Sequence, residues 1–540
     1  MLNYVWAALI FLGLSAAIIS DLKDSAADTY RDGKFLTAYY KPEREAIQTG
    51  KKIPAVITVS ADAAKKFYSK EISNDIVFKS QVAIDSNLTA DAVLIITDDV
   101  PSIIKTIAKS SGKPNDITAV IKFSKSCGAG MPGNIEIKFE EISFAKMNEV
   151  TSSLLDYVDK AVTISIGLVG VMAFWLGIMK IADSAGVISM ISRVLSPLIR
   201  KLFPDVPKNH PAIGAMVMNI SANILGLGNA ATPFGLKAME ELDKINPEKG
   251  TATNAMCMFL TINTAGMTLI PATAIALRAA AGSSEPSCII GTSLFGSGCA
   301  TVMGIIAAKI LENFPLKGKS FFSMLKENSN LFLLLVFIIG VIAAFFFFGG
   351  NVVFASPSLQ GSLTANIIKL ISVITIPGLI IFFITLGFIN KVKVYEQFIE
   401  GAKEGFNIAI KIIPYLVAML GAIAIFRAGG AMDWLVYLLR YVTDPLGMPA
   451  EALPMALMRP LSGSGSLAVM AEIMSFHGPD SFIGKLVSTF YGSSETTFYV
   501  LAVYFGSVQI KKTRHALAAG LIADIAGMLG ALFIVRMLLR

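Results

Sequence analysis

The sequence predicts a polytopic α-helical membrane protein with two inverted repeats, re-entrant hairpins and broken helices, plus a small extracytoplasmic α+β domain. Three observations predict this fold class. Only 16% of the 540 residues are charged, which is too few for an ordinary soluble domain. Several uncharged apolar runs reach 18 residues, the length at which a run becomes a candidate membrane-spanning helix. The chain also repeats itself after one charged segment.

Residues 1–20 form the first predicted transmembrane helix. Ser15-Ala16-Ala17 resembles a signal-peptide cleavage site, but no Lys or Arg precedes the apolar run, which favours a retained helix. Residues 21–149 hold 18 basic and 18 acidic residues, so the rest of the chain carries the whole net charge of +7. Five short apolar stretches in this segment predict strands of an α+β domain: KIPAVITVSA, DIVFKSQVAI, DAVLIIT, DITAVIKFS and NIEIKFEEISF.

The remaining chain predicts two repeats, residues 150–311 and 374–540, joined by linking transmembrane helices in 312–373. Two stretches, 209–236 and 453–474, have Gly and Pro within their apolar sequence and predict re-entrant helix–break–helix hairpins. Nine membrane crossings are expected, at residues 2–19, 161–179, 250–277, 286–308, 331–348, 370–390, 412–426, 486–510 and 516–535.

Loop charges predict the orientation, because Lys and Arg concentrate in cytoplasmic loops. With the basic loops near 193–208, 309–326, 391–411 and 511–514 in the cytoplasm, residues 21–149 lie outside. Segment 183–198 aligns with 427–442, and 259–277 aligns with 488–505. Two loops of the first half are compared with their equivalents in the second. The loop at 193–208 has a net charge of +3 and its equivalent at 427–451 has −1, whereas the loop at 279–288 has −1 and its equivalent at 511–514 has +3. Opposite signs predict halves inserted in opposite directions, with two parallel halves as the alternative.

Polar residues in the broken spans and hairpins predict a solute-binding site. Glu495 is the strongest candidate, since a carboxylate at mid-membrane usually faces a wet cavity. A structural pairing of Glu495 with Arg459 or a helix terminus is the alternative, and small polar residues also mediate helix packing. Asp524 is expected to have a structural role, paired with a neighbour or with His515. The candidate site residues are Asn223, Asn229, Asn263, Thr264, Thr268, Ser462, Ser464, Ser493, Ser494, Glu495, Thr496 and Thr497.

Two long stretches resemble known families. Residues from about 147 to 311, with FWLGIMKIADSAG and NHPAIGAMVMNISANILGLGNAATPFGL, resemble spore maturation protein A. Residues from about 374 onward, with LPMALMRPLSGSGS and GPDSFIGKLVSTFYGSSETTFYVLAVYFGS, resemble spore maturation protein B. Both belong to the Gate, or nucleoside-recognition, group. The resemblance implies an inner-membrane, transport-like module, associated in spore formers with dehydration of the spore core. This sequence departs from these families in two ways. The fusion suggests that A and B normally work as one complex, and the 21–149 insert suggests a general envelope function in place of a spore-specific role.

The sequence therefore predicts a transporter or channel-like protein, not an enzyme, in the bacterial cytoplasmic (inner) membrane. It would move an unidentified small polar solute through a site between the two repeats. The alternative is a non-transporting envelope assembly or maturation scaffold that recruits a partner through residues 21–149. Expected partners are membrane lipids, the solute, and either a second copy or an envelope protein. Nucleic acid is excluded because no dense basic tract exists. No cofactor or metal is predicted, and a coupling ion is left open.

Overall fold

The computed structural model describes residues 2–43, 52–68, 71–84, 89–97, 99–110, 115–124, 132–142, 144–207, 209–312 and 377–539. The predicted crossing at 331–348 and nearly all of the linking segment 312–373 lie outside these residues, as does the start of the crossing at 370–390. The chain divides into two compact units, one containing residues 5–157 with 421–435 and the other containing 158–420 with 436–540.

The smaller unit contains a closed antiparallel β-barrel. Each strand pairs with the next along the chain, and the last pairs with the first. Alternate side chains point inward, so residues such as Tyr40, Phe78 and Leu94 form a fully buried core. Its elements are β1 Leu36–Pro42, β2 Lys52–Val59, α2 Ala61–Tyr68, β3 Ile76–Ile84, β4 Thr89–Ile95, α3 Ser102–Ser110, β5 Asp116–Phe123 and β6 Gly133–Phe139, following helix α1 Leu2–Ala26.

Strand β1 was not among the five predicted strands. It alternates buried and exposed residues over only a few positions, and charged residues flank it in the sequence. Its hydrogen bonds to both β2 and β6 close the barrel. Helix α1 continues to Ala26, past the predicted boundary at residue 20.

The long helix α4, Ala145–Ser184, begins before the predicted boundary at residue 150. Asp21 of α1 caps its N-terminus. Its two carboxylate oxygens accept hydrogen bonds from the backbone amides of Lys146 at 2.7 Å and Met147 at 2.9 Å. The first amides of a helix have no partners within the helix, and its positive end favours a carboxylate. Asp21 thus serves as an N-cap supplied by another helix.

The helices that follow the barrel form two series in the same order. Each series has a long helix, a 16-residue helix, two pairs of short helices separated by a break, and a 23-residue helix. The first is α4, α5 Val187–Leu202, α6 Pro211–Ile224, α7 Gly228–Lys244, α8 Asn254–Ala265, α9 Ala272–Ala280 and α10 Ile289–Leu311. After α11, Pro377–Ile389, the second is α12 Val394–Ala428, α13 Ala431–Leu446, α14 Leu453–Leu461, α15 Gly463–His477, α16 Phe482–Gly492, α17 Thr497–Ser507 and α18 Ala516–Leu538.

The protein is a polytopic α-helical membrane protein. Among the described residues, five segments are long and apolar enough to cross a membrane: Trp6–Ala26, Ala145–Ser184, Pro286–Leu311, Val394–Ala428 and Ala516–Leu538. The predicted crossings at 250–277 and 486–510 are each two short helices, α8–α9 and α16–α17. The predicted hairpins are also helix–break–helix pairs, α6–α7 and α14–α15.

Glycines at two breaks allow segments of the chain to approach each other closely. Gly266 ends α8 with a φ of 55°, and a Cβ there would lie 2.7 Å from Cγ of Glu495. Gly226, between α6 and α7, has a φ of 82°, and a Cβ there would lie 2.7 Å from the carbonyl oxygen of Ile270. A side chain at either position would be strained and would clash, so the breaks require glycine.

Candidate functional site

A cavity lies where the two broken helix pairs α8–α9 and α16–α17 meet. Its volume is about 90 Å³, which is room for a few water molecules or one small polar group. Both series of helices contribute to its wall. The lining residues are Asn223 and Gly226 at the α6–α7 break, Gly266, Thr268, Ile270, Pro271, Ala272 and Thr273 at the α8–α9 break, Arg459 of α14, and Tyr491, Gly492, Ser494 and Glu495 at the α16–α17 break.

Backbone hydrogen bonds join the breaks around this cavity. The amide of Glu495 donates to the carbonyl of Thr264 at 2.8 Å, which links the two broken pairs. The amide of Leu269 donates to the carbonyl of Ile224 at 2.7 Å, which links α8–α9 to α6–α7. These bonds satisfy groups that a helix break leaves unpaired. They fix the geometry of the cavity wall.

Arg459 is the buried cation of the wall, and its side chain is 3% exposed. Its guanidinium donates to the carbonyl of Ser494 and, at 3.5 Å, to the hydroxyl of Thr496. It also lies over the ring of Tyr491, with Cζ 4.4 Å from the ring centroid. Arginine suits this position because its planar head can donate and stack together. Arg459 thereby ties α14 to the α16–α17 break.

Glu495 is the exposed carboxylate of the wall. Its side chain is 47% exposed, and Oε2 lies 3.7 Å from the Arg459 guanidinium. This distance is that of a loose ion pair, longer than a charge-assisted hydrogen bond. A carboxylate is an acceptor, so Glu495 offers the cavity a group that binds N–H or O–H donors.

A chain of polar side chains supports Asn223 from behind. The amide of Asn223 donates to Oδ1 of Asn263 at 2.9 Å, and the amide of Asn263 donates to the carbonyl of Phe259 at 2.9 Å. Tyr504 also donates to Asn263 at 3.4 Å and accepts from Asn219 at 3.2 Å. The chain orients Asn223, the member that lines the cavity.

The structure brings four of the twelve predicted site residues to the cavity wall: Asn223, Thr268, Ser494 and Glu495. Three others lie directly behind the wall. Asn263 orients Asn223, the Thr264 carbonyl accepts from Glu495, and the Thr496 hydroxyl accepts from Arg459. Asn229 lies in the first turn of α7, and its side chain is outside the described part of the chain.

Four predicted residues bond elsewhere. The hydroxyl of Ser462 caps α15 by accepting from the amide of Gly465 at 3.0 Å, and Ser464 lies beside it. The hydroxyl of Ser493 donates back to the carbonyl of Thr489 at 2.6 Å. The hydroxyl of Thr497 donates to Asp524. None of these four side chains lines the cavity.

Two charged residues outside the predicted site set lie at or near the cavity. Arg459, the alternative structural partner of Glu495, also lines the cavity. Asp524, expected to pair with a neighbour or with His515, accepts a hydrogen bond from the hydroxyl of Thr497.

Comparison with known proteins matches both halves of the larger unit. A family model described as "Gate: Nucleoside recognition" matches residues 165–280 and 409–511. The chain is 48% identical over 173 residues to spore maturation protein B of Bacillus subtilis (strain 168), covering 97% of that protein and 32% of this chain. The chain belongs to the spore maturation protein family. It is also 44% identical over 168 residues to spore maturation protein A of the same organism, covering 84% of that protein and 31% of this chain.

The chain thus joins in one polypeptide segments similar to spore maturation proteins A and B. Every residue that lines the cavity lies within the two matched Gate segments, whereas the β-barrel lies outside them. No solved structure matches the chain. The cavity therefore belongs to the part shared with the spore maturation family.

Proposed function

We propose that the protein is a secondary transporter or channel-like protein that moves a small polar solute across the bacterial cytoplasmic membrane. The cavity carries this proposal, because both helix series supply its wall at the points where their helices break. Broken helices near the midplane are where secondary transporters bind solutes and ions. A half-exposed carboxylate and a buried arginine there are costly in a membrane and indicate function.

Contacts at both ends of the broken pairs support an inverted repeat. At one end, Arg278 of α9 contacts Asp480, just before α16, at 2.8 Å. At the other end, the amide of Lys512, after α17, donates to the carbonyl of Gly250, just before α8, at 3.0 Å. The end of each pair therefore meets the start of the other. Equivalent pairs that run antiparallel insert in opposite directions, as inverted repeats do.

Loop charges support an orientation for this repeat. The end with Gly250 and Lys512 also carries Lys249, Lys511 and Arg514, so we place it in the cytoplasm. The Arg278–Asp480 end then lies outside, and α6–α7 and α14–α15 enter as re-entrant hairpins from opposite sides. The β-barrel falls on the extracytoplasmic side, where an envelope protein could bind it.

The polar wall suggests how the solute is held. Glu495 and Asn223 offer hydrogen-bonding groups to it, while Arg459 balances the charge of Glu495. The start of α9 adds the backbone amide of Thr273 at a positive helix end, whereas the amide of Ala272 already donates to the carbonyl of Ile270 at 2.8 Å. The scaffold alternative would require side chains to fill this space, so the cavity favours transport.

Solute-dependent thermal stabilisation of the purified protein tests the proposal. Nucleosides, amino acids, dicarboxylates and lipid precursors form the panel. We expect at least one class to raise Tm in the wild type, and less so in Glu495→Gln. Glu285→Gln is the control, because Glu285 is exposed on a loop outside the cavity. No stabilising solute, together with no solute uptake by reconstituted vesicles, would reject transport.

A further inference from the structure

A second polar cluster lies behind the cavity wall, around Asp524 of α18. This carboxylate is 1% exposed. Its Oδ2 accepts from the hydroxyl of Thr497, while its Oδ1 has no hydrogen-bond partner among the described residues. An unpaired buried carboxylate oxygen costs considerable free energy unless something binds it.

Two neighbouring hydroxyls, those of Thr264 and Ser494, are also buried, with side chains 0% and 3% exposed. The Thr264 hydroxyl has no hydrogen-bond partner within the described ranges, and the Ser494 hydroxyl has only a marginal contact with the Asp524 carboxylate. Gly520 lies one turn before Asp524 on the same face of α18, and the atoms around it show that Thr497 and Thr264 are close to this face. A Cβ there would lie 3.0 Å from Cγ2 of Thr497 and 3.5 Å from Oγ1 of Thr264.

Four buried side chains from three elements therefore lie around this part of α18. They are Thr264 in the last turn of α8, Ser494 and Thr497 at the α16–α17 break, and Asp524 of α18. Thr264 and Asp524 each have an oxygen without a partner among the described residues, and Ser494 has only a marginal contact with Asp524. Such buried groups need a partner, which a bound water or ion can supply.

The chemistry of the cluster favours a small monovalent cation. All the donors are hard oxygens, which suit ions such as Na⁺ and not soft transition metals. One carboxylate supplies a single negative charge, which a monovalent ion balances. No group of three His, Cys, Asp or Glu residues within the described ranges could hold a more highly charged metal. The charges that face Asp524 from neighbouring elements are Arg459 and Glu495, which already pair with each other.

We propose that Thr264, Ser494, Thr497 and Asp524 form a Na⁺ site. The site touches the solute cavity through Ser494, which lines it, and is one residue from Glu495. Bound Na⁺ would fix the α16–α17 break and so strengthen solute binding. This coupling rests on the proposed transport function, whereas Na⁺ binding itself does not.

Thermal unfolding of the purified full chain tests the site. Tm is measured while NaCl replaces choline chloride at constant ionic strength. A second series with KCl in place of NaCl measures the selectivity for Na⁺. We expect a saturable rise in Tm with Na⁺ that Asp524→Asn and Thr264→Val both abolish. Thr261→Val is the matched control on α8, because the Thr261 hydroxyl is already bonded to the carbonyl of Cys257 at 2.9 Å. This variant should retain the Na⁺ response.

Two outcomes would overturn the Na⁺ site. One is a wild-type Tm that does not rise with Na⁺, and the other is a rise in Tm that both variants retain. A rise that follows pH at fixed Na⁺ and disappears in Asp524→Asn would assign the carboxylate to a proton instead. Should Asp524→Asn fail to fold, Thr264→Val decides alone. A Na⁺ response with neither solute stabilisation nor solute uptake would support the ion site and contradict transport.

Discussion

The guanidinium of Arg459 and the carboxylate of Glu495 lie 3.7 Å apart, yet the arginine side chain is 3% exposed and the glutamate 47%. The arginine keeps other partners, namely the Ser494 carbonyl, the Thr496 hydroxyl and the Tyr491 ring. It therefore does not depend on Glu495 for burial. The glutamate, in contrast, faces the cavity and is available to a solute.

Glu495→Gln should leave the fold nearly intact and abolish transport. Loss of this loose ion pair should cost about 1–2 kcal/mol, because Glu495 is half-exposed while Arg459 is buried, and Gln retains the volume of Glu. Melting temperature and uptake by reconstituted vesicles measure the two effects, with Glu285→Gln as the exposed control. A loss of about 3–5 kcal/mol would instead identify a structural buried pair. A stable and fully active variant would remove Glu495 from the site.

Arg459→Lys should destabilise the protein more than Glu495→Gln does. Lysine cannot reproduce the planar arrangement that reaches the Ser494 carbonyl while stacking on Tyr491. The loss should be about 1.5–3 kcal/mol, the value of a hydrogen bond to a charged group. Denaturation of both variants under one condition compares them. Equal stabilities would show that the guanidinium contacts contribute little.

Gly266→Ala should impair both folding and function, because two costs add at that position. The positive φ strains any L-residue, and the new Cβ would lie 2.7 Å from Cγ and 2.9 Å from the amide nitrogen of Glu495. Gly282→Ala is the matched control, with a φ of 81° and no atom within 4 Å. We expect Gly266→Ala to lose about 1–3 kcal/mol more, the cost of overpacking. Similar losses in both variants would contradict close contact between the breaks.

Protonation of Asp480 should lower the stability of the protein at acidic pH. Burial raises its pKa, but hydrogen bonds from Ser283 and Ser284 and the charge of Arg278 outweigh this effect and lower the pKa from 3.8 to about 2. Asp480 therefore binds a proton more tightly in the unfolded chain than in the folded protein. The contribution of Asp480 is therefore complete above about pH 4 and is lost as the pH falls toward 2.

Asp480→Asn tests this dependence. It should cost about 1–2 kcal/mol at neutral pH, less than for a fully buried pair, because Asp480 is 36% exposed while Arg278 is 0% exposed. The stability of the variant should also decline less than that of the wild type between pH 4 and 2. Unfolding curves across that range, compared with those of the exposed Asp444→Asn, measure both effects. An unchanged pH profile would show that the ion pair does not stabilise the fold.

The sequence predicted the helix breaks well, because Gly and Pro interrupt apolar runs and leave a readable signal. It also located Glu495, since a charge in such a run stands out. It could not separate Ser493 from Ser494. Helix α16 ends at Gly492 with Ser493 as its C-cap, so the Ser493 hydroxyl turns back to Thr489 while Ser494 lines the cavity. The contact of Arg459 with Ser494, 35 residues away, depends on tertiary packing that no local pattern records.

The antiparallel arrangement of the broken pairs predicts which loops share a side of the membrane. Single cysteines at Lys391 and Lys512 should be labelled only from the cytoplasm, and those at Lys65 and Ser284 only from outside. All four positions are exposed, so reagent access depends on the side and not on burial. Replacement of the native cysteines removes background labelling. The pair Ser284 and Lys512 is decisive, because these loops lie at opposite ends of the broken pairs. Labelling of both from one side would contradict the inverted repeat, since each broken pair would then enter and leave on the same face.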